Sequence, residues 1–139
     1  MRPPDEVRRD LVRQWVAKAA GDLAVARLVL SEATSALWAA GFHAQQAAEK
    51  YLKAFLVHHQ IEFPKTHNLG VLLDLIQRAD GSIAAALCEA TALNPYGVDV
   101  RYPEDSPEVT PEDAQRAVAL AEKVRDTILP ALRAAGSAV

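Results

Sequence analysis

The sequence predicts an all-α protein, an antiparallel up-and-down helical bundle of about five helices forming a single domain over residues 1–139. Three observations predict it. Apolar residues recur at spacings of three and four over long stretches, the period of one helix face. Half of the residues are hydrophobic but only 6% are aromatic, and alanine carries much of the apolar content, which suits closely packed helices. No stretch alternates apolar and polar residues as a strand would.

The first helix is expected near residues 6–32, after Pro3 and Pro4. Trp15, Ala19, Leu23, Ala26 and Leu30 trace its apolar face. Gly21 costs about 1 kcal/mol there relative to alanine. The second helix is expected over 35–59, with Ala44, Ala48, Tyr51, Leu52 and Phe55 on one arc. Thr66 or Asn68 caps a third helix, 68–79, whose stripe is Leu69, Leu72, Leu73 and Ile76. Asp80 or Ser82 caps a fourth, 82–93. Pro95, Gly97, Pro103 and Pro107 exclude a long helix over 94–110. Thr110, Pro111, Glu112 and Asp113 start the last helix, 111–133, which buries Ala117, Leu120, Ala121, Val124 and Ile128. Pro130 is expected to kink or end it.

Composition excludes several functions. The formal net charge is −3, so no global basic field serves non-specific nucleic-acid binding. The single cysteine, Cys88, allows no intramolecular disulfide and reads as a core residue of an apolar helix. The N-terminus shows no apolar run of signal-peptide type, and no stretch reaches the ~18 apolar residues of a membrane span. A cytoplasmic protein without cofactor is the expectation. Gly70 and Gly81 are isolated, so no phosphate loop is present, and no serine has a triad context. His58 and His59 are adjacent on a helix and do not converge on one metal.

Three polar islands interrupt the apolar background. Gln45, Gln46, Glu49, Lys50 and Lys53 lie on the second helix, with Gln45 and Glu49 bordering the apolar arc and His43 and Lys50 farthest from it. Glutamine can read a base, and lysine can meet a phosphate. The plainer reading is a solvated face with Glu49 paired to Lys53 or a distant arginine. Lys65, Thr66, His67 and Asn68 sit at a helix start, where free backbone N–H groups favour an anion. Simple capping, with His67 bonded inside the bundle, accounts for them equally well. Arg101 and Tyr102 precede Pro103 in the proline-rich connection. Arg101 is expected to pair with Asp22 or Glu49, with a phosphate as its other partner.

The order of these segments resembles the HEPN domain, a small helical module. The resemblance covers nearly the whole chain: Trp15, Ala19, Asp22, Leu23, Ala26 and Leu30, then Gln45 to Lys50 with Lys53 and Ala54, Thr66 to Leu69, Arg101 to Pro103, and Thr110 to Ile128. It implies a homodimer and frequent pairing with a small nucleotidyltransferase in a toxin–antitoxin module. Many members are metal-independent ribonucleases that use an arginine followed, after four to six residues, by a histidine. No arginine here has a histidine at that distance, and none follows His67. The leading expectation is therefore a non-catalytic HEPN protein that binds a nucleotide or a nucleotidyltransferase partner. Its candidate residues are Gln45, Gln46, Glu49, Lys53, Lys65, Thr66, His67, Arg101 and Tyr102, with Asp22 as a structural polar group. The alternatives are a ribonuclease toxin with an atypical site, for which RNA is the ligand, and a purely structural helical subunit.

Overall fold

The computed structural model describes residues 2–32, 35–97 and 108–139. Helix α1 spans Pro4–Ser31, α2 Leu37–His58, α3 Leu69–Ala79, α4 Gly81–Ala86 and α5 Pro111–Ala134, with a 3₁₀ helix over Cys88–Gly97 between α4 and α5. No strand occurs among the described residues. The expected arcs are largely the buried ones. Ala19, Leu23 and Ala26 of α1 are buried with Val12, while Trp15 and Leu30 are partly buried against the core.

Helix α2 is the axis of the bundle and packs most extensively on α1 and α5. Ala40, Ala44, Ala47, Ala48 and Ala54 are all buried. Their small side chains let neighbouring helices approach, while Tyr51, Leu52, Phe55 and Leu56 fill the remaining volume. Burial pushes the Tyr51 phenol above its ordinary pKa, with Arg125 and Arg27 acting the other way. The α1–α2 pair is antiparallel, as side-chain contacts from Trp15 to Lys53 and from Asp22 to His43 show.

The caps follow the sequence. Asn68 accepts from Gly70 N on α3, and Asp80 accepts from Ser82 N and Ile83 N on α4. Thr110 accepts from Asp113 N while Asp113 accepts from Thr110 N, a reciprocal capping box. Helix α5 continues past Pro130 to Ala134, so that proline does not end it.

The fourth helix differs from expectation. It stops at Ala86, and Cys88–Gly97 winds more tightly. Buried residues there are Leu87, Ala90 and Leu93, every third position, which matches three residues per turn. An α-helix through the same segment would rotate Leu93 away from Leu87 and Ala90. Cys88, next to buried Leu87, is exposed and not part of the core.

Replacing Thr110 with alanine is expected to lower stability by about 1 kcal/mol, by loss of the cap on α5. Urea denaturation would register this as a lower midpoint at unchanged slope.

Candidate functional site

The polar island on α2 does not form a solvated face. Gln45, Glu49 and Lys53 are buried, at 0%, 3% and 7% exposure. A buried carboxylate is tolerated only when its oxygens are paired. Glu49 Oε2 lies 3.0 Å from Lys53 Nζ, one helical turn away. Glu49 Oε1 lies 2.8 Å from His67 Nδ1. A carboxylate only accepts, so the Nδ1 atom of His67 carries a proton and donates it.

Lys53 is enclosed on its other sides. Its Nζ stands 5.5 Å from the Trp15 ring centre and 5.7 Å from that of Phe63, within cation–π range. Gln45 completes the cluster. Its Nε2 donates to the His67 backbone oxygen at 2.8 Å and, at a longer 3.4 Å, to Glu49 Oε1. Its Oε1 accepts from Gln46 Nε2 at 2.7 Å. Side chains from α1, α2 and the α2–α3 connection thus meet around a single carboxylate.

The 3₁₀ helix closes over the same end of α2. A Cβ placed on Gly41 would stand 2.4 Å from the Tyr96 ring, and one on Gly97 would stand 2.9 Å from the Gln45 amide. Both positions need glycine for this close approach. The start of α3 is tied to the 3₁₀ helix as well, since Asn94 Oδ1 accepts from Leu69 N at 2.8 Å.

A second cluster lies farther round α2. Asp22 Oδ1 is 2.9 Å from His43 Nδ1, and its other oxygen accepts from Lys50 Nζ. The sequence wheel sets His43 and Lys50 away from the core, and the structure keeps them partly buried because α1 crosses there. The two clusters share one plan, a carboxylate holding a lysine with one oxygen and a histidine Nδ1 with the other.

The predicted residues divide as follows. Gln45, Gln46, Glu49, Lys53 and His67 come together. Thr66 Oγ1 accepts from Asn68 N at 3.0 Å, in a local turn beside His67. Lys65 is exposed and has no carboxylate partner among the described residues. Arg101 and Tyr102, with the expected pairing of Arg101 to Asp22 or Glu49, lie outside the described residues. The sequence places Lys50 in the polar island of α2 and points His43 away from the core; neither is expected to pair with Asp22, whose expected partner is Arg101.

His67 stands apart from the rest of its cluster. Its side chain is 68% exposed although Nδ1 is bonded to a buried group. The ring is held from beneath, and its Nε2 edge remains available. At the far end of α2, His59 packs 4.3 Å from Phe55, and partial burial together with the neighbouring His58 pushes its pKa below the ordinary value. Among the described residues no group of three or more His, Cys, Asp or Glu side chains could hold a metal ion. No described helix is long and apolar enough to cross a membrane.

Because Lys53 neutralises a buried carboxylate, Lys53→Ala is expected to destabilise the bundle by roughly 3–5 kcal/mol. His67→Ala is expected to cost less than half as much, since water can replace an exposed imidazole. Thermal unfolding of the two variants side by side would separate these costs, and equal losses would contradict the assignment.

The family model of the HEPN domain matches residues 12–131. The structure is similar to that of TT1696 from Thermus thermophilus, with a TM-score of 0.70 and 28% sequence identity, over 86% of this chain and 96% of that one. No curated protein matches the chain.

Proposed function

The chain belongs to the HEPN domain family, and on that premise we propose that it is a non-catalytic member which binds a nucleotide or a small nucleotidyltransferase partner beside His67. A toxin–antitoxin pairing, a homodimeric state and a cytoplasmic setting belong to the same proposal. The observation that carries it is the exposed His67 ring, fixed at Nδ1 by buried Glu49. An imidazole oriented in this way offers Nε2 to a ligand without the entropic cost of ordering the ring.

Exposed Lys65 is two residues away and supplies a mobile cation for phosphate. Gln46 lies on the same side of α2 and is partly open. In this reading Gln45, Glu49 and Lys53 do not touch the ligand. They hold His67 and the connection before α3 in place. The structural-subunit alternative is thereby absorbed for the buried residues and remains a rival only for the exposed ones.

The ribonuclease reading draws on the same pair, because a carboxylate behind an imidazole is how a general base is oriented. Of the two cations that reading would use, Arg101 lies outside the described residues. Lys53, the group first in line to stabilise phosphorane charge, is bound to Glu49 and covered by Trp15 and Phe63.

Calorimetric titration with ATP, GTP and their monophosphates, and with the neighbouring gene product, tests the proposal. Binding is expected for at least one, weakened about tenfold in His67→Ala, the size of one lost hydrogen bond. RNA is expected to stay intact. Cleavage abolished by His67→Ala would establish the ribonuclease reading instead, and no binding to any of these would leave the structural subunit.

A further inference from the structure

The buried carboxylate of Glu49 sets the direction of the hydrogen bonds that run outward from it. A carboxylate only accepts. Its Oε1 therefore meets the Nδ1–H of His67, at 2.8 Å, and the Nε2 amide of Gln45, at 3.4 Å. The same Gln45 Nε2 donates to the His67 backbone oxygen, a second group that only accepts. Both contacts turn the Gln45 amide the same way and make its Oε1 the acceptor. That oxygen takes the Nε2 amide of Gln46 at 2.7 Å, which fixes the sense of Gln46 as well. Gln46 Oε1 is then the acceptor at the end of this branch, and no group among the described residues donates to it. His67 ends the other branch. A ring that donates at Nδ1 carries, in its neutral form, a lone pair at Nε2. The His67 side chain is 68% exposed and Gln46 is partly open, and the Gln45 amide holds both residues.

We propose that this edge selects a hydroxyl: the ligand is a ribonucleotide whose ribose hydroxyl donates to His67 Nε2 while its phosphate goes to Lys65. The inference rests on the nucleotide half of the function proposed above. A phosphate oxygen brings only lone pairs, and the lone pair at Nε2 turns it away. A hydroxyl brings the proton that this atom requires. Lys65 is exposed and two residues from His67, so their Cα atoms are at most about 7 Å apart. The ribose hydroxyls are the donors of a nucleotide that lie nearest its phosphate. A phosphate held by Lys65 therefore brings the sugar, rather than the base, to the imidazole. Gln46 Oε1 adds a second acceptor on the same edge and no donor that would favour the phosphate there. The buried carboxylate thus acts on the ligand without touching it, through the proton it holds on His67 and the amide it turns in Gln45.

Calorimetric titration at about pH 8.5, two units above the ordinary imidazole value, tests the hydroxyl contact. ATP, GTP and their monophosphates are each compared with the 2′,3′-dideoxy counterpart, which keeps base and phosphate and lacks both hydroxyls. A ribonucleotide that binds is expected to bind about tenfold more tightly than its dideoxy form, the size of one hydrogen bond. In His67→Ala, with helical circular dichroism intact, that ratio is expected to fall toward one. Equal affinity of the two forms for the unaltered protein would overturn the inference while nucleotide binding itself stands, and this comparison needs no variant. A ratio that His67→Ala leaves unchanged would overturn it as well, because the hydroxyl would then be read elsewhere. Binding of no nucleotide in either form would overturn both this inference and the nucleotide half of the reading it rests on.

Discussion

Glu49 places a carboxylate inside an alanine-lined helix interface, and the architecture around it follows from the need to neutralise that charge. Lys53 does so from the next turn of the same helix, at 3.0 Å. It is held there because Trp15 from α1 and Phe63 from the connection after α2 cover it. His67 and Gln45 take up the remaining acceptor capacity. Removing Lys53 or Gln45 leaves a polar group without a partner in a place water does not readily reach, whereas water can take the place of the exposed His67 ring. The cluster therefore ties α1, α2 and the approach to α3 into one unit. It does so with a specificity that apolar packing among so many alanines would supply only weakly.

The glycines extend the same constraint. Gly97 lets the end of the 3₁₀ helix lie against the Gln45 amide, and Gly41 lets the Tyr96 ring lie on α2. The amide of Gln45 is thus fixed on both sides, by its hydrogen bonds and by backbone contact. His67, one bond farther out, inherits this order. A surface histidine on a loop is ordinarily free to turn. This one is held by a chain of contacts that ends in the core, and that difference turns a capping segment into a candidate binding position.

Much of this was legible in the sequence where one helix determines the outcome. The stripe Leu69, Leu72, Leu73 and Ile76 is buried as its spacing requires, and Thr110 and Asp113 cap α5 as their types require. The Glu49–Lys53 pair is legible from its four-residue spacing. Its burial is not, because Lys53 sits beyond the apolar arc of its own helix and is enclosed by residues thirty-eight positions before it and ten after. The pairing of His43 and Lys50 with Asp22 depends likewise on where α1 crosses. The segment after Ala86 misleads for another reason. Ile83, Leu87 and Ala90 satisfy an α-helical spacing, but from there the chain follows the three-residue period of Leu87, Ala90 and Leu93, and Cys88 beside them faces solvent.

A double-mutant cycle on the central pair tests the account most directly. Glu49→Leu and Lys53→Met each leave one partner's charge unpaired, and each single change is expected to cost roughly 3–5 kcal/mol. The double variant removes both charges and is expected to be more stable than either single one, which requires a coupling at least as large as a single loss, roughly 3–5 kcal/mol. Additive losses in the double variant would show that Glu49 and Lys53 act independently, and the buried pair would then not be what holds this end of the bundle together.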